Sequence, residues 1–473
     1  MLNRLIEYGP DELAKIHRAT VRILSEAGVS FPGGPALKVF KEHGFKTDGD
    51  RVFMGEDELR KALSTVPRTV PLVARNPEKT LVLGQGPPIL LGTTGPPKML
   101  LADGTFRPGT LADYEDTQKL SQNSPLIQTA AYKAIYPQDI PPKTAHLEML
   151  LRTLTLTDLF AGGDSQEEVN TRDTLNMVGL VFGGTDFLLK NTVVRITVSV
   201  LSPLRYAPEQ SASLIMLAEN NQLAVVSNMA MLGSTSPVDL PASLALGNAE
   251  ILAGIVLSQL VRPGAPVVYG STSCPVDMKG MAATLGSPET LRVSHAAVSL
   301  ARSYAIPSRT GGGLNDGFAL DGQASAEAAL VLQMAIASGA DFIMHAFGMM
   351  GGYIAASLEK WILDEELASF ILDSLKPFTV SGEIDVGEVI KLGPGANYLI
   401  QPSTMKRFRE FHQFKVFNKL PMDLWRKKGG LSLIQACEKE VKRRLSVYER
   451  PPMDPKLEAE LVKYVQKRKE EIF

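Results

Sequence analysis

The sequence predicts an α/β protein built on a (β/α)8 barrel, and three observations carry that reading. Eight short apolar or β-branched runs alternate with eight longer amphipathic runs between residues 85 and 380. The short runs are apolar throughout, the pattern of strands buried on both faces. They end in Gly, Ser and Thr, small residues that leave room at strand ends, where barrels build their sites. A doubly wound sheet is the alternative; the count of eight and the chain length favour the barrel.

Residues 1–84 read as an N-terminal helical segment. Asp11 is placed to cap a helix that runs to Glu26 and stops at Gly28. A second helix is expected from Glu56 to Ser64, ending before Pro67 because the residue preceding proline avoids the helical region. The expected strands are ILLGTTG, LIQTAAY, LFAGGD, VVRITVSV, LAVVSNM, PVVYGST, PSRTGGG and FIMHAFG. Helix-like runs separate them, and LEKWILDEELASFILDSL follows the last. Residues 381–473 turn basic-aromatic and then highly charged with helical periodicity. They read as a helical extension packed on the barrel, with a partner-docking surface as the alternative.

Composition excludes several classes. The 473 residues are 44% hydrophobic and 21% charged, with a formal net charge of −2. Nucleic-acid binders usually carry a basic excess, and none is present. Two cysteines far apart, Cys274 and Cys437, argue for a reducing compartment and against a disulfide framework. The first twenty residues carry charges and no apolar core, so no signal peptide is expected. No apolar run of membrane-spanning length is expected either, and the location is read as cytoplasmic.

The strand ends supply the candidate site. PSRTGGGLNDG places Arg309 at the end of the seventh run, followed by Gly311, Gly312 and Gly313. An arginine fork matches a carboxylate, and glycine lets backbone N–H groups approach a ligand. That makes an anion clamp; the alternative is a tight turn with Arg309 paired to Asp316. His345 ends the eighth run beside it, as a site residue or as a buried histidine satisfied by backbone. His17, His43, His146, His295 and His412 read as structural. No Cys-x-x-Cys or Walker pattern occurs, and Cys274 has no base beside it in sequence.

RTGGGLNDG with DGQASAE, then FGMMGGY, then GPGANYL and its basic-aromatic continuation together resemble the trimethylamine methyltransferase family over nearly the whole chain. The resemblance implies a (β/α)8 barrel that moves a methyl group from a methylamine to the cobalt of a corrinoid carried by a separate protein. It implies no tightly bound cofactor on this chain, a cognate corrinoid-binding partner and a homo-oligomer. Trimethylamine-specific members carry pyrrolysine shortly after the glycine motif; here GFALDGQ stands there, with Phe318 and Leu320 near the position. The branch without pyrrolysine is similar to enzymes acting on quaternary amines: glycine betaine first, proline betaine next, then carnitine and γ-butyrobetaine. Gln401, Pro402, Ser403 and Thr404 stand where many members have histidines, so no role is carried over to that segment.

On that resemblance Arg309, His345 and the amides of Gly311, Gly312 and Gly313 are expected to hold the betaine carboxylate. Phe347 and Tyr353 are expected to face the cation. Asn315, Asp316, Gly351 and Gly352 are expected on loops facing the corrinoid. A betaine-binding barrel without catalysis and a metal-dependent barrel enzyme are the competing classes.

Overall fold

The computed structural model describes residues 8–377, 380 and 382–472. Its centre is a curled sheet of seven parallel strands: β1 (Ile89–Gly92), β2 (Ala161–Gly162), β3 (Val194–Ser199), β4 (Leu223–Asn228), β5 (Val267–Ser271), β6 (Ser308–Gly311) and β7 (Phe342–Phe347). Their order is β1-β7-β6-β5-β4-β3-β2. Strands β2 to β7 are each paired with their sequence neighbour, and β1 lies against β7.

The second expected strand, LIQTAAY, does not form one. It makes single parallel bridges, Ile127 to Leu90 and Thr129 to Phe160, before turning at 131–134. Ser124 Oγ accepts the amides of Leu126 and Ile127 at 3.1 and 3.0 Å, so a turn at the start and a turn at the end leave too little extended chain for a ladder.

Connecting helices cover the outer face: α1 (Pro10–Arg22) at the N-terminus, then α2 (Leu111–Gln122), α3 (Ala145–Leu156), α4 (Glu168–Phe182), α5 (Pro208–Glu219), α6 (Leu240–Val261), α7 (Pro288–Ser303), α8 (Gly322–Ala337) and α9 (Leu358–Ser374). Strand alternation divides the core. Val194, Ile196 and Val198 pack outward with Leu214 and Leu217 of α5. Leu223, Val225, Val268 and Phe342 pack inward. A hairpin, Val70–Leu72 with Leu81–Leu83, supplies Val70, Leu72 and Leu83 to that inner cluster. It fills the concave side near the strand starts and leaves the strand ends open.

The strands are therefore not apolar on both faces throughout, as their sequence suggested. Arg195, Ser227 and Arg309 are buried polar positions on their inner face.

The N-terminal segment holds more than helices. Gly9, not Asp11, caps α1, with Pro10 at its first position, and one π-helical turn extends α1 to Ala27. A three-stranded antiparallel sheet (Val29–Ser30, Arg51–Phe53, Lys46–Asp48) and a helix Pro35–Glu42 follow. Thr20 Oγ1 of α1 donates to the Ala245 carbonyl of α6 and accepts from Asn248 Nδ2 at 2.9 Å. Helix α6 corrects a second expectation: it is long and apolar enough to cross a membrane, with mean hydropathy 1.6. Yet 83% of that stretch is buried inside the protein, which marks it as a core helix covered on all sides.

α9 carries buried charges that tie down what surrounds it. Lys360 and Asp364 pair with both side chains fully buried. Glu366 Oε1 accepts the amides of Lys415, Val416 and Phe417. Glu365 takes the Trp361 indole N–H at 3.1 Å and pairs with Arg444 of α10 (Leu433–Ser446) at 2.5 Å. α11 (Pro455–Ile472) is held on α4 by Tyr464 and Arg468, both bonded to Asp173. The C-terminal extension thus packs on the body from His412 onward, whereas most of 382–411 stands in solvent.

Burial raises the Glu365 pKa and Arg444 opposes that rise. Arg444→Ala leaves this carboxylate buried without its cation and is expected to destabilise the protein by about 3–5 kcal/mol. Urea unfolding reads this directly, and a loss below 1 kcal/mol would mean that the pair behaves as a surface one.

Candidate functional site

A cavity of about 470 Å³ opens at the C-terminal ends of the strands. Alternation along β3 turns Arg195 inward between outward-facing Val194 and Ile196, and β6 does the same for Arg309. Both are buried, 3% and 4% exposed. Arg309 Nη1 donates to Ser227 Oγ at 3.1 Å and Thr272 Oγ1 at 3.3 Å. Arg195 Nη2 donates to the Ala130 carbonyl at 3.3 Å, and its guanidinium lies 5.6 Å from the Phe342 ring centre.

Neither arginine has a carboxylate partner among the described residues, so the expected alternative of an Arg309–Asp316 pair is not formed. Both Nε–H groups, and the hydroxyl of buried Tyr132, which also lines the cavity, have no hydrogen-bond partner among the described residues. Burial pulls both arginines down to about 10, helped at Arg195 by the charge of Arg309. At neutral pH both remain cations, and two cations with orphaned donors in one recess are chemically able to receive an anion.

His345 sits at the edge of this recess with φ 55°, an uncommon backbone for a non-glycine residue. Its Nδ1 accepts the Thr94 amide at 3.2 Å, which leaves the neutral ring's proton on Nε2. Burial, followed by the charges of Arg309 and Arg195, holds its pKa well below the ordinary value. The ring meets Tyr353 edge-on at 4.9 Å between centres. Tyr353 also has a left-handed backbone, and its phenol is pushed up to about 12 by burial against the opposing pull of Arg309. Across the cavity Lys133 and Asp164 pair at 2.5 Å, and Asp164 also accepts from the Gln166 amide and Asn170 Nδ2. That pair is self-satisfied, so the cavity's excess charge comes from its two arginines.

The structure brings Arg309, His345 and Tyr353 together. Other expected residues lie elsewhere. The amides of Gly312 and Gly313 donate to the Met344 and His345 carbonyls at 2.8 Å each, so they are not free for a ligand. A Cβ at these two positions would meet Ala346 at 2.7 and 2.5 Å, and one at Gly311 would meet Leu314 at 2.4 Å. The glycine run serves close packing of β6 on the end of β7. Phe347 faces outward and packs on Trp361. Asn315 is buried and donates to the Met349 carbonyl, while Asp316 accepts the amides of Leu285 and Gly286. Gly351 and Gly352 take φ of 57° and 60° on the loop after β7, with Gly351 under the Phe318 ring. Cys274 is buried and its thiol is pushed up to about 12 by burial. No cluster of three or more His, Cys, Asp or Glu able to hold a metal occurs among the described residues.

Sequence reasoning missed Arg195, Tyr132, Lys133 and Asp164. The signal for Arg195 was in view: one arginine inside the apolar run VVRITVSV.

The trimethylamine methyltransferase (MTTB) family matches residues 3–473. A glycine betaine methyltransferase of Desulfitobacterium hafniense (strain Y51) is 35% identical over 464 residues, covering 98% of this chain and 97% of that protein. A proline betaine:corrinoid methyltransferase of Eubacterium limosum is 30% identical over 452 residues, covering 93% and 92%. Among solved structures, the Methanosarcina barkeri monomethylamine methyltransferase superposes with TM-score 0.53 at 13% identity. It covers 77% of this chain and 74% of that one, a likeness of fold.

Because folded His345 stays neutral while an unfolded histidine titrates near 6.5, the unfolded state takes up the extra proton below that pH. Stability therefore falls as pH drops. Between pH 7.5 and 5.5 the wild type should lose about 1.4 kcal/mol more than His345→Gln. Urea unfolding at both pH values measures the difference; parallel losses would show that His345 does not titrate on unfolding.

Proposed function

The chain belongs to the trimethylamine methyltransferase family and is a methyltransferase, and from that premise we propose that it moves a methyl group from a betaine to the Co(I) corrinoid of a partner protein. The observation that carries this reading is the pair of buried arginines lining the cavity without a carboxylate partner among the described residues. A betaine carries its own carboxylate and a permanent cation. The carboxylate meets Arg195, Arg309 and the Tyr132 hydroxyl. The same charges repel the quaternary ammonium, so it turns toward the mouth and the aromatic faces of Tyr353 and His345. One N-methyl group then points out of the cavity. Orientation of the reacting carbon is the enzyme's main contribution.

In the transfer the corrinoid's electron pair bonds to the methyl carbon as the carbon–nitrogen bond breaks. The bonding pair stays on nitrogen and the leaving amine is neutral. No proton moves in that step, so the site needs no acid, and a neutral His345 suits it. Trimethylamine brings no carboxylate and in its protonated form adds a third cation, so it is expected to be a poor substrate. Glycine betaine is favoured and proline betaine is next; carnitine and γ-butyrobetaine place the cation farther from the carboxylate.

The corrinoid protein is placed at the mouth, where loops after the strands expose large apolar side chains. Phe106 follows β1, Val238 follows β4, Met278 and Met281 follow β5, Phe318 follows β6 and Ile354 follows β7. A ring of this kind around a cavity is the mark of a docking surface.

Two experiments test the reading. Arg195→Ala and Arg309→Ala are each expected to weaken glycine betaine binding by about 2–5 kcal/mol in calorimetry, while choline, which lacks the carboxylate, is spared. Equal losses for both ligands would exclude the clamp. Met278→Asp with Met281→Asp is expected to raise KM for the corrinoid protein about tenfold in the absorbance assay of cobalt methylation, with betaine affinity unchanged. Unaltered transfer would move the docking site away from this rim.

A further inference from the structure

A carboxylate that the proposed reaction does not use lies behind the cavity wall. Glu250, on α6, is fully buried and has no cationic partner among the described residues. Three groups donate to it instead. Ser202 Oγ and Asn228 Nδ2 reach its Oε2 at 2.8 and 3.0 Å, and the Leu204 amide reaches Oε1 at 2.9 Å. Every partner is a donor, the complement of an ionised carboxylate. Burial raises the Glu250 pKa, and these three bonds oppose the rise. A buried carboxylate without a cation costs stability that an apolar side chain of similar size would not, so packing alone does not account for it. The helix is also shaped to the contact. Gly247 stands one turn before Glu250, and a Cβ there would meet Asn228 Nδ2 at 2.5 Å.

The three donors lead to the cavity. Ser202 and Leu204 belong to the loop after β3, whose first residue, Val200, lines it. Asn228 ends β4 and lines the cavity as well. Its carbonyl accepts the Thr272 amide at 3.0 Å and the Thr272 hydroxyl at 3.4 Å. With its proton directed to Asn228, Thr272 Oγ1 turns a lone pair to Arg309, whose Nη1 donates to it at 3.3 Å. The other acceptor of Arg309, Ser227, precedes Asn228 on the same strand. Both neutral acceptors of that guanidinium therefore depend on where Asn228 sits, and Glu250 holds Asn228.

We propose that Glu250 is a positioning residue for the methyl transfer: through Asn228 and Thr272 it keeps the Arg309 guanidinium aimed into the cavity, and through Ser202 and Leu204 it fixes the adjoining wall. The proposal rests on the betaine reading, in which Arg309 receives the substrate carboxylate. Arg195 and Arg309 repel each other in the empty cavity, and a fixed set of acceptors keeps Arg309 from turning away before the substrate arrives.

Glu250→Gln keeps the size of the side chain and removes its charge and one acceptor. It is expected to weaken glycine betaine binding about tenfold in calorimetry, with choline binding and far-UV circular dichroism unchanged. Asn228→Ala breaks the relay at its middle without altering Glu250. It is expected to give the same loss for betaine, and it decides the matter should Glu250→Gln fail to fold. Because the effect runs through Arg309, adding Glu250→Gln to Arg309→Ala is expected to lower kcat/KM for betaine by no more than about twofold. A folded variant that binds betaine like the wild type, a Glu250→Gln loss shared equally by choline, or the full loss again in the Arg309→Ala background would each overturn the proposal. Arg309→Ala alone judges the betaine reading. If it spares betaine, that reading fails and the role of Glu250 with it. A betaine loss in Arg309→Ala with none in Glu250→Gln removes only the role of Glu250.

Discussion

Two guanidinium groups held in one cavity without a carboxylate partner among the described residues constitute the constraint on which the site depends. Arg195 and Arg309 come from strands β3 and β6, and only weak neutral acceptors from Ser227, Thr272 and Ala130 hold them. Such an arrangement costs free energy in the empty protein, since each charge is desolvated and each repels the other. The rest of the fold bears that cost. The inner apolar cluster and the 70–83 hairpin fill the strand starts, so only the strand ends remain hollow, and the arginines stand at that boundary.

The neighbouring strand is built to the same end. β7 carries a left-handed residue, His345, two positions before its end, and the chain then bends through Gly348, whose amide is taken by buried Asp364 at 2.9 Å. Burial pushes that carboxylate up to about 6 against the pull of Lys360. The glycine run of β6 lets the end of β7 come close enough for the carbonyls of Met344 and His345 to accept its amides. The strained histidine, the buried Lys360–Asp364 pair and the glycines are parts of one device. It sets an imidazole that stays neutral beside two cations, next to the edge of a tyrosine.

Several elements were legible in the sequence alone. The alternation of strand and helix runs, Arg309 and His345 at strand ends, and the tail's change of composition after residue 380 all follow from local pattern, and local pattern is what a sequence records. The family followed from RTGGGLNDG and its companions. Tertiary structure decided the rest. LIQTAAY has the composition of a strand, but turns at both of its ends reduce it to single bridges. Phe347 ends β7 two residues after His345, yet it points outward because the ladder is irregular between Ile343 and Phe347, and no linear spacing encodes which face a bent strand presents. Arg195 stood in plain view within VVRITVSV, but a lone arginine in an apolar run acquires meaning only when a second one, 114 positions later in Arg309, is folded into the same cavity. Charge in a site is a property of what converges there, and convergence between distant segments is settled by packing.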